Sequence, residues 1–397
     1  MPKISVKGKE LPDSPIRKLM PYADSALKKG LKILHLNIGQ PDIHSPIEST
    51  EVIKNSNLNN LQYGSSEGSI SFRKSLCEYY LKNNISVNPE DIIVTTGASE
   101  ALTFTLNCIC DAGDEIIIPE PFYANYNGFA SASSVKVVPV ISQFENNFKL
   151  PPINDLYNKI TKKTKAILIC NPSNPTGYLY SKKELDSLGK IAIEKDIYII
   201  VDEVYREFIH IKNRKHTSIL EFKKLHQNSI MIDSVSKRYS LCGARVGCMI
   251  SKNKKLISTA IKFAHLRLSP PTYGLMASEA AINSSKNYLE EARNEYSKRR
   301  SVLIKEIKKI KGVKISYPMG AFYCIAELPV KNAENFSKWL LTDFSYKNET
   351  VMFAPGSGFY SSPGFGLNQI RIGFVLKSKK IKRAIRILEK ALTVYKN

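Results

Sequence analysis

From about residue 91 the chain alternates short, nearly continuous apolar runs with stretches whose apolar residues recur at helical spacing. The runs lie at 91–97 (DIIVTTG), 114–120 (DEIIIPE), 135–140 (VKVVPV), 165–172 (KAILICNP), 197–203 (IYIIVDE), 229–234 (SIMIDS) and 245–251 (RVGCMIS). They are β-branched and lack the polar alternation of a half-solvated strand, so both faces of each are expected to be covered, as in a mainly parallel sheet. Helical patterns fall between them: ASEALTFTLNCI, SKKELDSLGKIAIEK and NKKLISTAIKFAHL. The fold class is therefore α/β, a three-layer α/β/α large domain built on a mainly parallel sheet. After about residue 285 the pattern changes. A long charged helix leads into short strands near VKISY, AFYCIAEL, VMFAP and IRIGFV, which predicts a smaller α+β domain. The expected division is 1–47 as an N-terminal segment packing with the small domain, 48–285 as the large domain and 286–397 as the small one.

Unusual polar residues collect where the predicted strands end. Ser99 follows one strand, Asn174 another, Asp202 a third and Lys237 a fourth. Ligands of such sheets bind beyond the carboxyl ends of the strands, so four such residues at neighbouring ends argue for one site. Gly97-Ala98-Ser99 joins a strand to a helix start, which can cradle an anion, although the same residues make an ordinary capped turn. Asp202 is costly at the end of an apolar strand if unpaired, and is also a plausible helix cap. Asn174 can be a turn residue before proline. Arg371, set among Ile, Ile and Phe, is expensive unless it meets an anion.

Composition narrows the classes. The 397 residues are 43% hydrophobic and 24% charged, ordinary for a globular protein. No apolar run approaches the ~20 residues of a membrane span, and the N-terminus is polar, so a cytoplasmic protein without a membrane partner is expected. The net charge of +22 raises the question of nucleic acid. The basic residues are spread out, however, and the densest stretch, 377–392, places Ile381, Ala384, Ile385, Leu388 and Leu392 on one helical face with lysines opposite. With no finger or RNA-binding aromatic motif, no nucleic-acid partner is expected. The seven cysteines form no disulfide framework; Cys108 and Cys110 read as core thiols, and the six histidines show no ligand spacing, so no metal is expected.

Taken in order, GQPD (39–42), YGSSEG (63–68), TTGASEA (95–101), NPSNPTG (171–177), DEVY (202–205), SVSKRYSLCGARVG (234–247), PMGAFY (318–323), APGSGF (354–359) and IRIGF (370–374) give the chain a near full-length resemblance. It resembles the fold-type I pyridoxal-phosphate aminotransferases of the aspartate aminotransferase class I/II family. The resemblance implies pyridoxal 5′-phosphate as cofactor and Lys237, Asp202 and Tyr205 as catalytic residues, with Lys237 the amine bonded to the cofactor. It implies that Ser234, with Ser236 in the same S-x-S-K box, and Arg245 hold the phosphate together with Ala98 and Ser99. Tyr123 takes the place of the aromatic stacked on the ring, where relatives often have Trp. Asp202 pairs with the pyridine nitrogen, and Tyr205 and Asn174 with the 3′-oxygen. Arg371, Gly39 and Asn174 meet the substrate carboxylate. Tyr63 reaches the phosphate of a neighbouring subunit's site, which implies a homodimer with shared active sites. The implied reaction is a ping-pong transfer between an L-amino acid, aspartate or glutamate, and a 2-oxo acid such as 2-oxoglutarate. An aminotransferase for another amino acid, or another fold-type I enzyme such as a C–S lyase, stays open. Arg17 and Arg267 are both candidates for reading a side-chain carboxylate.

Overall fold

The computed structural model describes residues 2–12, 14–284 and 287–396. The expected boundary between 285 and 286 lies outside the described residues. Thirteen strands are present among the described residues: β1 Lys32–His35, β2 Ile92–Thr95, β3 Glu115–Glu120, β4 Lys136–Ile141, β5 Thr164–Cys170, β6 Tyr198–Asp202, β7 Ser229–Ser234, β8 Gly247–Ile250, β9 Lys314–Ile315, β10 Tyr323–Glu327, β11 Glu349–Met352, β12 Ala354–Pro355 and β13 Gln369–Gly373.

Seven of them form one sheet in the order β2-β8-β7-β6-β5-β3-β4. All neighbours are parallel except β8, which runs against both β2 and β7. The α/β class with a mainly parallel sheet is thus the one the apolar runs predict. The two faces bury separate apolar clusters. Ile199, Val201 and Met231 point to one, and Ile200, Ile230 and Ile232 to the other. The runs look unbroken in apolar residues because alternate side chains enter different cores. The sheet's edge departs from this. β4 is exposed or half-buried along most of its length and carries Pro139, which an edge strand tolerates because one side needs no backbone donor.

Helices read from the sequence appear as Ala98–Ile109, Lys182–Glu194 and Lys254–Arg267. The second begins with Ser181 and Glu184 capping one another's backbone N–H groups, which fixes the start of the helix. In the helix Ser378–Val394, Ile381, Ala384, Ile385 and Leu388 are buried.

The C-terminal strands form an antiparallel sheet, β12-β13-β10-β9, with Arg371 of β13 opposite Ile325 of β10. β1 pairs in parallel with β11, Lys32 opposite Glu349. One apolar cluster joins Leu34 and Leu36 to Leu303, Phe336, Val351, Ile370 and Leu388. The parallel order of β2, β7, β6 and β5 sends all four of their carboxyl ends to one edge. The cavity described next opens there.

Candidate active site

At that edge lies a cavity of about 590 Å³, lined by the segments that follow β2, β5, β6 and β7 together with β10, β13 and residues near 14–17 and 38–40. Asp202 is the last residue of β6 and is buried. Its carboxylate accepts a hydrogen bond from the Tyr126 hydroxyl at 2.8 Å and one from the Val204 N–H at 3.2 Å. Burial pushes the Asp202 carboxyl up to about 6, against these two hydrogen bonds; Asp233 adds to the rise, and Lys237 opposes it.

β7 ends at Ser234, which caps the single-turn helix Val235–Arg238 through a bond from the Ser236 N–H. The Ser234 and Ser236 hydroxyl oxygens are 2.8 Å apart, and Ser234 Oγ lies 2.7 Å from the Val246 carbonyl oxygen. Lys237 leaves this turn toward the cavity, where Nζ donates to the Gly39 carbonyl at 3.1 Å and lies 3.8 Å from Cys242 Sγ.

The helix Ala98–Ile109 starts at the same edge behind Gly97, whose φ of +77° suits glycine. A Cβ on Gly97 would collide with the Arg245 guanidinium, so the backbone and that cation approach closely. Arg245 itself has φ +55°, a left-handed conformation uncommon for a side chain of its size. Its guanidinium donates to the Cys242 carbonyl and the Thr96 carbonyl, each at 3.2 Å. Ala98, Ser99 and Arg245 thereby face one corner of the cavity.

The opposite wall holds Arg371. It is 1% exposed, donates to Asn174 Oδ1 at 2.9 Å and to the Asn37 carbonyl at 2.5 Å, and leaves Nε without a partner. Its guanidinium carbon lies 4.4 Å from the Tyr323 ring centroid and 4.8 Å from that of Phe359. Burial lowers its affinity for the proton, and the tyrosines Tyr323, Tyr205 and Tyr123 oppose this. A buried cation with no carboxylate partner among the described residues is a ready site for an anion.

Two tyrosines that the sequence reading did not single out organise the site. Tyr126, one helical turn beyond Tyr123, supplies the hydroxyl on Asp202 and meets the Tyr123 ring edge to face at 5.4 Å. Tyr323 places its hydroxyl 2.8 Å from that of Tyr205. It also fills the space where a side chain on residue 39 would sit, which explains Gly39. Burial raises the Tyr123 hydroxyl to about 12 and the Tyr205 hydroxyl well above its ordinary value, so both stay protonated donors near neutrality. The signal for Tyr323 was its place in the PMGAFY motif; for Tyr126 only its i+3 spacing from Tyr123 offered one.

Among the sequence-predicted residues, Lys237, Asp202, Tyr205, Ala98, Ser99, Tyr123, Asn174, Ser234, Ser236, Arg245, Gly39 and Arg371 line this one cavity. Tyr63 does not: it is 79% exposed and stands outside it. Arg17 lines the cavity, whereas Arg267 is taken up by Glu100 at 3.1 Å and by the Ser66 and Val94 carbonyls.

Comparison with known proteins gives the same direction throughout. The family described as aminotransferase class I and II matches residues 32–388. The chain is 31% identical over 366 residues to an aspartate aminotransferase of Pyrococcus horikoshii, covering 91% of this chain and 90% of that one. It is 32% identical over 371 residues to an aspartate aminotransferase of Bacillus subtilis, covering 91% and 92%. Its fold matches a solved alanine aminotransferase from Pyrococcus furiosus with a TM-score of 0.89 at 30% identity, over 99% of this chain and all of that one. With a match this long, taking in Lys237, Asp202 and Arg371, the chain belongs to the class I and II aminotransferases.

Proposed function

We propose that the cavity holds pyridoxal 5′-phosphate and moves an amino group between a dicarboxylic amino acid, aspartate or glutamate, and a 2-oxo acid such as 2-oxoglutarate. The observation that carries this is the placement of Lys237 Nζ, the buried Asp202 carboxylate and the carboxylate-free Arg371 on one cavity. The residues fit the cofactor on structural grounds. Burial holds the Asp202 proton up to about 6 even with Lys237 acting against it, so a protonated ring nitrogen beside it satisfies a group that is otherwise costly to ionise. The tight Gly97–Arg245 approach and the helix start at Ala98 form a corner suited to a phosphate.

Bound there, pyridoxal phosphate supplies an aldehyde carbon for the amino group and a ring that accepts the electron pair left at the substrate α-carbon. The protein supplies the rest. Arg371 and Asn174 bind the substrate α-carboxylate, which fixes the α-carbon. Lys237 Nζ is the base that takes the α-proton and the acid that returns it. Asp202, braced by Tyr126 and Val204, keeps a proton on the ring nitrogen. Tyr205 and Asn174 donate to the ring oxygen, Tyr123 covers the ring, and Ser234, Ser236, Ala98, Ser99 and Arg245 hold the phosphate. Arg17 reads the distal carboxylate; Arg267 is committed to Glu100.

Tyr63 reaches the phosphate in the site of a second copy, making the working unit a homodimer. Supporting this, Tyr63, Leu61 and Leu266 all expose apolar surface, and Arg267, next to Leu266, holds the adjacent loop through the Ser66 carbonyl. The division into a large unit around the seven-stranded sheet and a smaller one around β9 to β13 is part of the same proposal. The test is the half-reaction: aspartate or glutamate alone, added to the cofactor-loaded protein, should change the cofactor's absorbance, and a 2-oxo acid should restore it. A chain that cleaves or eliminates from its substrate instead would refute the reading.

A further inference from the structure

Lys237 is carried on a helix of four residues, Val235–Arg238. A single turn fixes many dihedrals for few hydrogen bonds and has little stability of its own. Its orientation has to come from what packs around it. Arg238, the last residue of the turn, donates through Nη2 to Oδ2 of Asp233, the residue before the cap Ser234. Both side chains are 1% exposed, and neither lines the cavity. Asp233 accepts two more bonds: from the Tyr80 hydroxyl to Oδ2 at 2.7 Å and from the Ser234 N–H to Oδ1 at 2.7 Å. The Arg238 guanidinium lies 4.0 Å from the centroid of the Tyr79 ring, whose hydroxyl donates to Glu207.

The next strand end repeats the pattern. Glu203, after Asp202, accepts from the Ser218 hydroxyl and the Ile219 N–H, each at 2.9 Å, and pairs with Arg206 at 3.6 Å. Asp202, Ser234 and Lys237 therefore each adjoin in sequence a charged residue buried behind the cavity: Glu203, Asp233 and Arg238 respectively. Stability alone is a weak reason for such pairs, because desolvation often cancels their attraction and apolar residues of similar size serve as well. An ion pair that spans one turn does something apolar packing does not: it specifies the turn's direction through fixed donors and acceptors.

We propose that Asp233 and Arg238 form a buried clamp that orients the Lys237 amine and the Ser234 and Ser236 hydroxyls toward the cavity. The clamp acts through Lys237 and rests on the reading of Lys237 as the reacting amine. Asp233 and Arg238 are thus positioning residues.

The test uses the full-length protein with four variants: Asp233→Asn, Arg238→Met, the double variant and Lys237→Ala. Three quantities are read: kcat and KM for the amino donor, the rate at which cofactor-free protein captures pyridoxal phosphate at its lysine by absorbance, and the thermal midpoint. Each single variant should lower kcat and the capture rate by about 10- to 100-fold, with KM changed less than about threefold. The double variant, which leaves no unpaired buried charge, should regain most of the midpoint lost by Arg238→Met while kcat and capture stay depressed. Recovery of kcat and capture together with the midpoint would show a merely structural pair and overturn the clamp. So would single variants that fold and keep both rates within threefold. Should Arg238→Met fail to fold, Asp233→Asn and the double variant decide alone. Lys237→Ala separates the two readings. An active Lys237→Ala protein overturns the assignment of the lysine and the clamp with it, whereas an inactive one beside normal clamp variants overturns the clamp only.

Discussion

Two arginines, Arg371 and Arg238, are equally buried, one on the cavity wall and one behind it. Arg238 is closed upon a carboxylate and a tyrosine ring. Arg371 has carbonyl-type acceptors and rings but, among the described residues, no carboxylate; unbonded nitrogens do not separate the two, since Nε of Arg371 and both Nε and Nη1 of Arg238 lack a partner. The difference separates a cation that serves the fold from one held ready for a ligand. Desolvation acts on both, but only Arg238 is offset by an anion within the chain. Burial of a charge does not by itself mark a site; burial without its counterion does.

The sharpest way to break this comparison acts where the two regions meet. Lys237→Ala should lower kcat by about 10⁴-fold through loss of the proton carrier, measured as steady-state transamination. Next comes the contrast between the arginines themselves. Arg371→Met should cost about 3–4 kcal/mol in kcat/KM for every amino-acid donor, because it removes a clamp on the group they share. Denaturation of the cofactor-free protein should show its stability unchanged or raised by about 1 kcal/mol. Arg238→Met should do the reverse to stability, losing about 3–5 kcal/mol by leaving Asp233 unpaired. If both variants were destabilised alike, the distinction between the two cations would fail.

The pH dependence sharpens the same point. The unfolded chain ionises Asp202 near ~4, while the folded, cofactor-free chain keeps its proton up to about 6. Between these values the folded state binds more protons, so stability falls as pH rises. The loss for this residue is about 3 kcal/mol and is complete above pH 6. Asp202→Asn should remove that slope in denaturation series between pH 4 and 6, leaving the fall due to Glu203, which continues to about 7. The smallest effect belongs to the cavity mouth. Arg17→Ala should raise KM for aspartate and glutamate by about 1.4 kcal/mol, tenfold, and leave that for alanine unchanged. Arg267→Ala should leave all three within twofold.

The parallel sheet was legible because both faces of each inner strand are buried, so composition alone marked them. The edge strand β4 was found for the same apolar content but is half-solvated, and the two-residue strands β9 and β12 lie within the expected segments VKISY and VMFAP, too short for a period to fix their bounds. Helices before residue 90 went unread for different reasons: Met20–Lys28 is short and buries the small residues Ala23 and Ala26, while in Ile70–Leu81 the apolar stripe is mixed with polar residues such as the buried Ser75. At the site, Lys237, Asp202, Asn174 and Ser99 announced themselves as polar residues ending apolar strands. Tyr126 and Tyr323 did not, since a buried tyrosine reads as core until the partner of its hydroxyl is known. Arg238 was hidden by its neighbour: Lys-Arg reads as a basic surface pair, and only the fold shows one side chain turned to the cavity and the other away.

The hydrogen bond from Arg371 to the Asn37 carbonyl joins positions 334 residues apart. On the ribosome the first of these emerges long before the second. The seven strands of the large sheet, and with them Lys237 and Asp202, can pair while β13 is still being made. The wall proposed to grip the substrate carboxylate is therefore completed after the strands that carry the proposed reactive lysine, and until β13 pairs the Arg371 guanidinium has no place beside them.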